Sequence, residues 1–219
     1  MLVDREWTDR DNRRLARRIK EAKLAIDASL EDLVCDPSRG LDKATGVGKT
    51  FVGAALAQAA CRQGFRALSV RVPRLVQDLA LARADGTYRS ELQRFARYDV
   101  LVLDDFLIGS MKDAERRDLL EVLEDRYDRS STVITSQLPT KAWHETLADP
   151  TIADAICDRL VQNAQLLALR GPSMRKKKGI GSETTGRDQP DHPLVAALRS
   201  ERPGGLERLP KSRRNARSG

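Results

Sequence analysis

The 219-residue chain carries 39 Lys and Arg against 32 Asp and Glu, a net charge of +7, with 40% hydrophobic and only 4% aromatic residues. That supplies one packed core, while no run approaches the roughly 18 apolar residues of a membrane span. The opening Met1-Leu2-Val3-Asp4-Arg5-Glu6 lacks the basic-then-apolar order of a secretory leader. Three scattered cysteines (Cys35, Cys61, Cys157), with only His144 and His192, argue against a disulfide framework and a zinc site, so a cytoplasmic protein is expected.

In chain order, Thr8 is placed to cap a helix whose apolar residues Leu15, Ile19, Ala22, Ile26, Leu30 and Leu33 recur at helical spacing. That helix should end before Asp36-Pro37-Ser38-Arg39-Gly40, a loop by its turn residues. Phe51 to Arg62 reads as a helix of small residues ending at Gly64, and Ala67 to Val72 as a strand. Pro73 to Arg83 and Glu91 to Arg97 are helical, and Asp99 to Asp104 is a buried strand. Lys112 to Arg129 reads as a charged amphipathic helix, followed by a strand over Thr132 to Thr135. A helix over Thr151 to Asn163 and a last short strand over Leu166 to Leu169 complete the pattern. Strands alternating with helices predict a parallel α/β sheet flanked by helices. Residues 179–219, rich in Gly, Pro, Ser and Arg, are expected to be disordered, with at most a turn or two around Leu194–Leu198. The organisation is therefore a basic helical segment over 1–40, a core over 41–178 and a tail over 179–219.

Charge divides unevenly along this plan. Residues 1–40 hold nine basic and nine acidic side chains, residues 41–169 hold 17 and 18, and residues 170–219 hold 13 and five. The first helix still concentrates Arg10, Arg13, Arg14, Arg17, Arg18, Lys20 and Lys23 around Asp11 and Glu21. Basic ends around a near-neutral core suit a polyanion, most often nucleic acid, as well as a plain solvated helix face and a solubilising tail. Trp7 is the only aromatic residue among 1–40, and 170–219 contains none. Any DNA contact made there should rest on phosphates rather than stacked bases.

The chemistry is carried by two elements. Gly46-Val47-Gly48-Lys49-Thr50 opens a helix, where glycines let backbone N–H groups curl around phosphate oxygens. Lys49 would reach the terminal phosphates of a nucleotide, and the Thr50 hydroxyl would bind Mg²⁺. Val100-Leu101-Val102-Leu103-Asp104-Asp105 is an apolar strand delivering two carboxylates, Asp104 for the Mg²⁺ shell and Asp105 to orient or deprotonate the attacking water.

With these two elements, three further runs make the sequence resemble the IstB-like ATP-binding proteins, helper ATPases of insertion-sequence transposition and cousins of the DnaC-type helicase loaders. The resemblance spans about residues 5–176 and rests on Ala-Thr-Gly-Val-Gly-Lys-Thr at 44–50, Val-Leu-Val-Leu-Asp-Asp at 100–105, Val-Ile-Thr-Ser-Gln-Leu-Pro at 133–139, Ala-Ile-Cys-Asp-Arg-Leu at 155–160 and Gly-Pro-Ser-Met-Arg at 171–175. It implies an AAA+ fold, ATP and Mg²⁺ binding, assembly on DNA as a homo-oligomer, and a transposase partner. It further implies that Ser136 or Gln137 is the polar sensor of the lytic water, with Gln137 one methylene longer than the family's usual Asn. Arg159 corresponds to the arginine offered to a neighbouring subunit's γ-phosphate, and Arg175 to a second sensor.

The resemblance breaks most before the phosphate loop. A complete phosphate loop reads G-x-x-x-x-G-K-[ST], and Lys43 occupies the position of its first glycine. The apolar strand that feeds such a loop is absent, since Pro37 to Asp42 is polar and turn-like; Leu33-Val34-Cys35 is a short substitute at best. The pattern is that of an internal deletion. Losing a central strand should leave buried backbone groups unpaired at about 1–3 kcal/mol each, against a domain stability of roughly 5–15 kcal/mol. Three readings follow: a transposition helper ATPase, a helicase loader of the same build, and a nucleotide-dead remnant that binds only DNA or a partner.

Overall fold

A computed structural model describes residues 2–32, 48–161, 164–169 and 192–197. Its five strands are β1 (Ala67–Arg71), β2 (Val100–Phe106), β3 (Ser131–Ser136), β4 (Ala164–Leu169) and β5 (His192–Ala197). The helices are α1 (Leu2–Glu21), α2 (Gly48–Arg62), α3 (Val72–Ala84), α4 (Tyr88–Ala96), α5 (Asp113–Arg126), α6 (Trp143–Leu147) and α7 (Pro150–Val161). The order across the sheet is β1-β2-β3-β5-β4. β1, β2 and β3 pair in parallel, as the alternation of strands and helices predicts. β5 pairs antiparallel with both β3 and β4, so β4 keeps the direction of the parallel strands at one strand's remove.

Alternate residues of the strands feed two apolar layers. Leu68, Leu101, Leu103 and Ile134 join Leu75, Leu79, Phe95, Leu119, Trp143 and Ile156 from α3 to α7 on one face. Ala67, Val102 and Val133 join Val52, Ala57 and Cys61 of α2 on the other, with Leu15 and Ile19 of α1 packed outside them. Helices thus cover both faces of the sheet, the arrangement that parallel strands require. Trp143 is fully buried, its indole N–H donating to the Leu138 carbonyl at 3.1 Å and its ring meeting Phe106 edge-on at 4.7 Å. Gly53 fixes how closely α2 lies on the sheet. A Cβ there would come within 3.0 Å of Val102 Cγ1 and 3.4 Å of Thr135 Cγ2, so a larger residue would require those side chains to give by a few tenths of an ångström.

Three expectations change. α1 begins at Leu2, so Thr8 lies inside it rather than at its cap, and Glu6 and Arg10 pair at 2.5 Å one turn apart across that region. The helix also stops at Glu21 instead of running on through Leu30 and Leu33. Lys23 turns the chain with φ +48°, and the Ala22 carbonyl accepts the Ser69 N–H of β1 at 2.8 Å. Tertiary pairing with an edge strand therefore overrides the apolar periodicity, and Ala28 is buried against Ala54 and Ala55 of α2. The third change is β5, which forms within the segment expected to be disordered; the composition of the whole tail masked the apolar run Leu194-Val195-Ala196-Ala197. Leu33-Val34-Cys35 lies outside the described residues. Among the described residues, no helix is long and apolar enough to cross a membrane.

Candidate nucleotide site

The site lies where the first turn of α2 meets the C-terminal ends of β1, β2 and β3. The helix runs from Gly48, and the first N–H groups of an α-helix have no partner within it, which makes a helix start a natural place for an anion. Lys49 and Thr50 follow directly, both partly buried. Burial lowers the Lys49 pKa, and the nearby Asp104 and Asp105 carboxylates oppose that shift. The Thr50 hydroxyl donates to Asp104 across 54 residues of sequence, 3.0 Å from Oδ2 and 3.3 Å from Oδ1.

Asp104 is only 7% exposed and takes a second hydroxyl bond, from Thr135 Oγ1 of β3. The Thr135 oxygen also accepts the backbone N–H of Asp105 at 3.3 Å. Strand register explains how one threonine serves both. Leu103 pairs with Ile134 and Phe106 with Ser136, so β2 fits two residues, Asp104 and Asp105, where β3 has only Thr135. This bulge puts Asp105 at φ +57°, a conformation that aspartate tolerates better than most residues. A strand without the bulge would send the two carboxylates to opposite faces. Here Asp104 turns toward Thr50, and the Asp105 carboxylate meets Arg71 Nε at 2.6 Å at the end of β1.

Lys49, Thr50, Asp104 and Asp105 are thus brought together as the motif spacing predicts. A hydroxyl and a buried carboxylate in contact are hard oxygen donors of the kind Mg²⁺ prefers, beside a lysine suited to phosphate. Ser136 is spent on structure, its hydroxyl donating to the Phe106 carbonyl at 2.9 Å and accepting the Leu138 N–H at 3.1 Å. Gln137, just past β3, is exposed. Arg159 lies on α7 against α5. It donates to Glu124 at 2.9 Å and to the Ala155 carbonyl at 3.2 Å, rather than pairing with the neighbouring Asp154 or Asp158. Lys43, Gly46, Val47 and Arg175 lie outside the described residues. Sequence reasoning missed Thr135 and Arg71, whose only advance signal is position, a polar residue closing a strand beside the one that carries the acids.

Residues 41–182 match the family described as IstB-like ATP binding protein. The chain belongs to that family. Two insertion-sequence ATP-binding proteins of Sinorhizobium fredii are 43% and 39% identical to it, over 81% and 80% of this chain and 82% and 80% of theirs. The first match runs over 200 residues yet draws on 81% of a 219-residue chain, so that relative carries residues inside the matched span with no counterpart here. That agrees with a segment missing from this chain. Among solved structures, AMPPCP-bound DnaA from Aquifex aeolicus shares the fold, with a TM-score of 0.53 at 16% identity over 61% of this chain and 48% of that one. The likeness is one of fold, an α/β sheet flanked by helices on both faces.

Proposed function

We propose that this IstB-like chain binds ATP with Mg²⁺ and hydrolyses it as a cytoplasmic, DNA-associated helper of a transposase during insertion-sequence transposition. The observation that carries this reading is the contact among Thr50, Asp104 and Thr135 beside Lys49 at the start of α2. Thr50 and Asp104 would hold Mg²⁺, which would neutralise charge on the phosphates of ATP, the donor of the transferable phosphoryl group. Gly46, Val47 and Gly48 cradle the phosphates, Asp105 and Gln137 orient water, and Arg175 acts as a second sensor.

Arg159 completes the site of a neighbouring subunit in the ATP-bound homo-oligomer. Its bond to Glu124 joins side chains 32% and 47% exposed, and ion pairs this open contribute about 0–1 kcal/mol, little enough to exchange for a phosphate. Arg159→Ala is expected to lower turnover by roughly 10³-fold, the low end for an arginine finger, with ATP affinity nearly unchanged. Wild-type specific activity should rise with protein concentration in a steady-state phosphate-release assay. Turnover independent of concentration and equal in the variant would refute the role.

DNA binding is assigned first to α1, where Arg13 and Lys20 are exposed while Arg10, Arg14 and Arg17 hold acids one turn away. Engaging about five phosphates gives a log K against log salt slope of about −4 to −5 on duplex DNA. Replacing Arg13 and Lys20 with Gln should flatten it by nearly 2, at about 0.9 per lost contact. Fluorescence anisotropy titrations at several salt concentrations, with and without ATP, test this. No binding at low salt removes the helper function. A second reading, a nucleotide-dead remnant acting through DNA or partner contacts, is favoured by Lys43 and by the residues that the Sinorhizobium fredii relative has in excess.

A further inference from the structure

In the order β1-β2-β3-β5-β4, the strand between β3 and β4 comes from beyond residue 182, where the family match ends. A phosphate loop ordinarily follows a strand of its own sheet. Here none precedes α2 among the described residues, and Pro37 to Asp42 lacks the apolar sequence of such a strand. β3 nevertheless has a neighbour on that side, and without it the backbone N–H and C=O groups of Thr132 to Thr135 that face β5 would lose their ladder partners. Its partner is Leu194 to Ala197, in the register Thr135↔Leu194 to Thr132↔Ala197. The other edge of β5 pairs along the whole of β4, from Leu169↔His192 to Ala164↔Ala197.

We infer that the groove between β3 and β4 is a strand-acceptor surface and that its occupant is this chain's own segment His192–Ala197, standing in for the strand that should lead into the phosphate loop. Direction supports the assignment. The chain leaves β4 at Leu169 and returns opposite it at His192, so the insertion closes as a hairpin-type return, whereas a parallel strand would need a crossover. Pro193 fits as well. It pairs with Ala168 of β4 but lies past the last β3 pair, near the start of the strand where a missing N–H is tolerated. The insertion also braces the nucleotide site, since Leu194 pairs with Thr135, the residue that holds Asp104. A segment outside the family match thereby repairs the sheet that the deletion opened. The inference concerns the fold and holds independently of ATP hydrolysis.

The test uses the full chain. Gln165 and Ala196 are register partners, so Gln165→Cys with Ala196→Cys should form an intrachain disulfide on mild oxidation, located by mass spectrometry of the linked peptides. Gln165→Cys with Val195→Cys, one residue out of register and so on opposite faces, should link at least about tenfold more slowly. Equal rates in the two pairs, or no disulfide in either, would overturn the inference. A disulfide joining two chains would overturn it too, by making a second copy the occupant.

Val195→Pro removes an N–H in a strand paired on both edges. It should lower Tm by roughly 6–12 °C and amide protection at Thr132 to Thr135 at least tenfold, while Ser200→Pro, outside the strand, changes neither. Failure of Val195→Pro to fold while Ser200→Pro folds supports the assignment. Unchanged Tm and protection in Val195→Pro would overturn it.

Discussion

Lys49→Ala is expected to weaken binding of a fluorescent ATP analogue by at least about 100-fold, which is loss of binding in an ordinary titration. The side chain is partly buried at the start of α2, within the electrostatic reach of Asp104 and Asp105. Hydrogen bonds from a charged donor contribute roughly 1.5–3 kcal/mol each, and two of them to phosphate oxygens amount to more than two decades of affinity. Asp104→Asn provides the companion result. It keeps the shape against Thr50 and Thr135 but removes the charge, so Mg²⁺ should no longer tighten nucleotide binding. Circular dichroism separates a lost ligand from a lost fold. Equal affinity in wild type and Lys49→Ala would refute the site, and no binding by either protein would favour the nucleotide-dead reading.

Arg126→Met should be the most destabilising exchange outside the nucleotide site, lowering stability by about 3–5 kcal/mol and Tm by roughly 6–20 °C. The side chain is 1% exposed, with four acceptors around its guanidinium. Nη1 donates to the carbonyls of Phe95 and Tyr98 at 2.7 and 2.8 Å, Nη2 to that of Ser131 at 2.5 Å, and Nε to Thr132 Oγ1 at 3.1 Å. One residue of α5 thereby closes the end of α4 and the start of β3, whose carbonyls would otherwise be buried without donors. Burial lowers its pKa to about 10, with Asp99 opposing the shift. Arg126→Lys should recover only part of the loss, because one ammonium cannot reach three separated carbonyls and a hydroxyl. Thermal melts followed by circular dichroism test this; a Tm within 2 °C of wild type for Arg126→Met would refute the strut.

Lys49, Thr50 and Asp104 were legible because each is locally encoded, a glycine-flanked helix start and an apolar run ending in acids, and their spacing follows from one strand–helix plan. Most helices and strands were legible for the same reason, since periods of 3.6 and 2 appear within a few residues. Arg126 was not. Within Lys112 to Arg129 it reads as one more surface charge, and only packing of α5 against α4 and β3 makes it the most buried cation among the described residues. The tie between Thr135 and the two aspartates needed the bulge in β2, and a register shift leaves no mark in either strand's own sequence. The end of α1 at Glu21 depended on Ala22 meeting Ser69, a contact that competes with a helical pattern otherwise intact. β5 is the largest such case. Leu194-Val195-Ala196-Ala197 is too short to announce a strand, and its partners are chosen by a gap that exists only once β3 and β4 are in place. Local periodicity thus determined which segments are helix or strand and which ends of them carry Lys49, Thr50 and Asp104. Strand neighbours, burial of charge and repair of the sheet were decided by the tertiary structure, because hydrogen bonding and desolvation act between residues far apart in the chain.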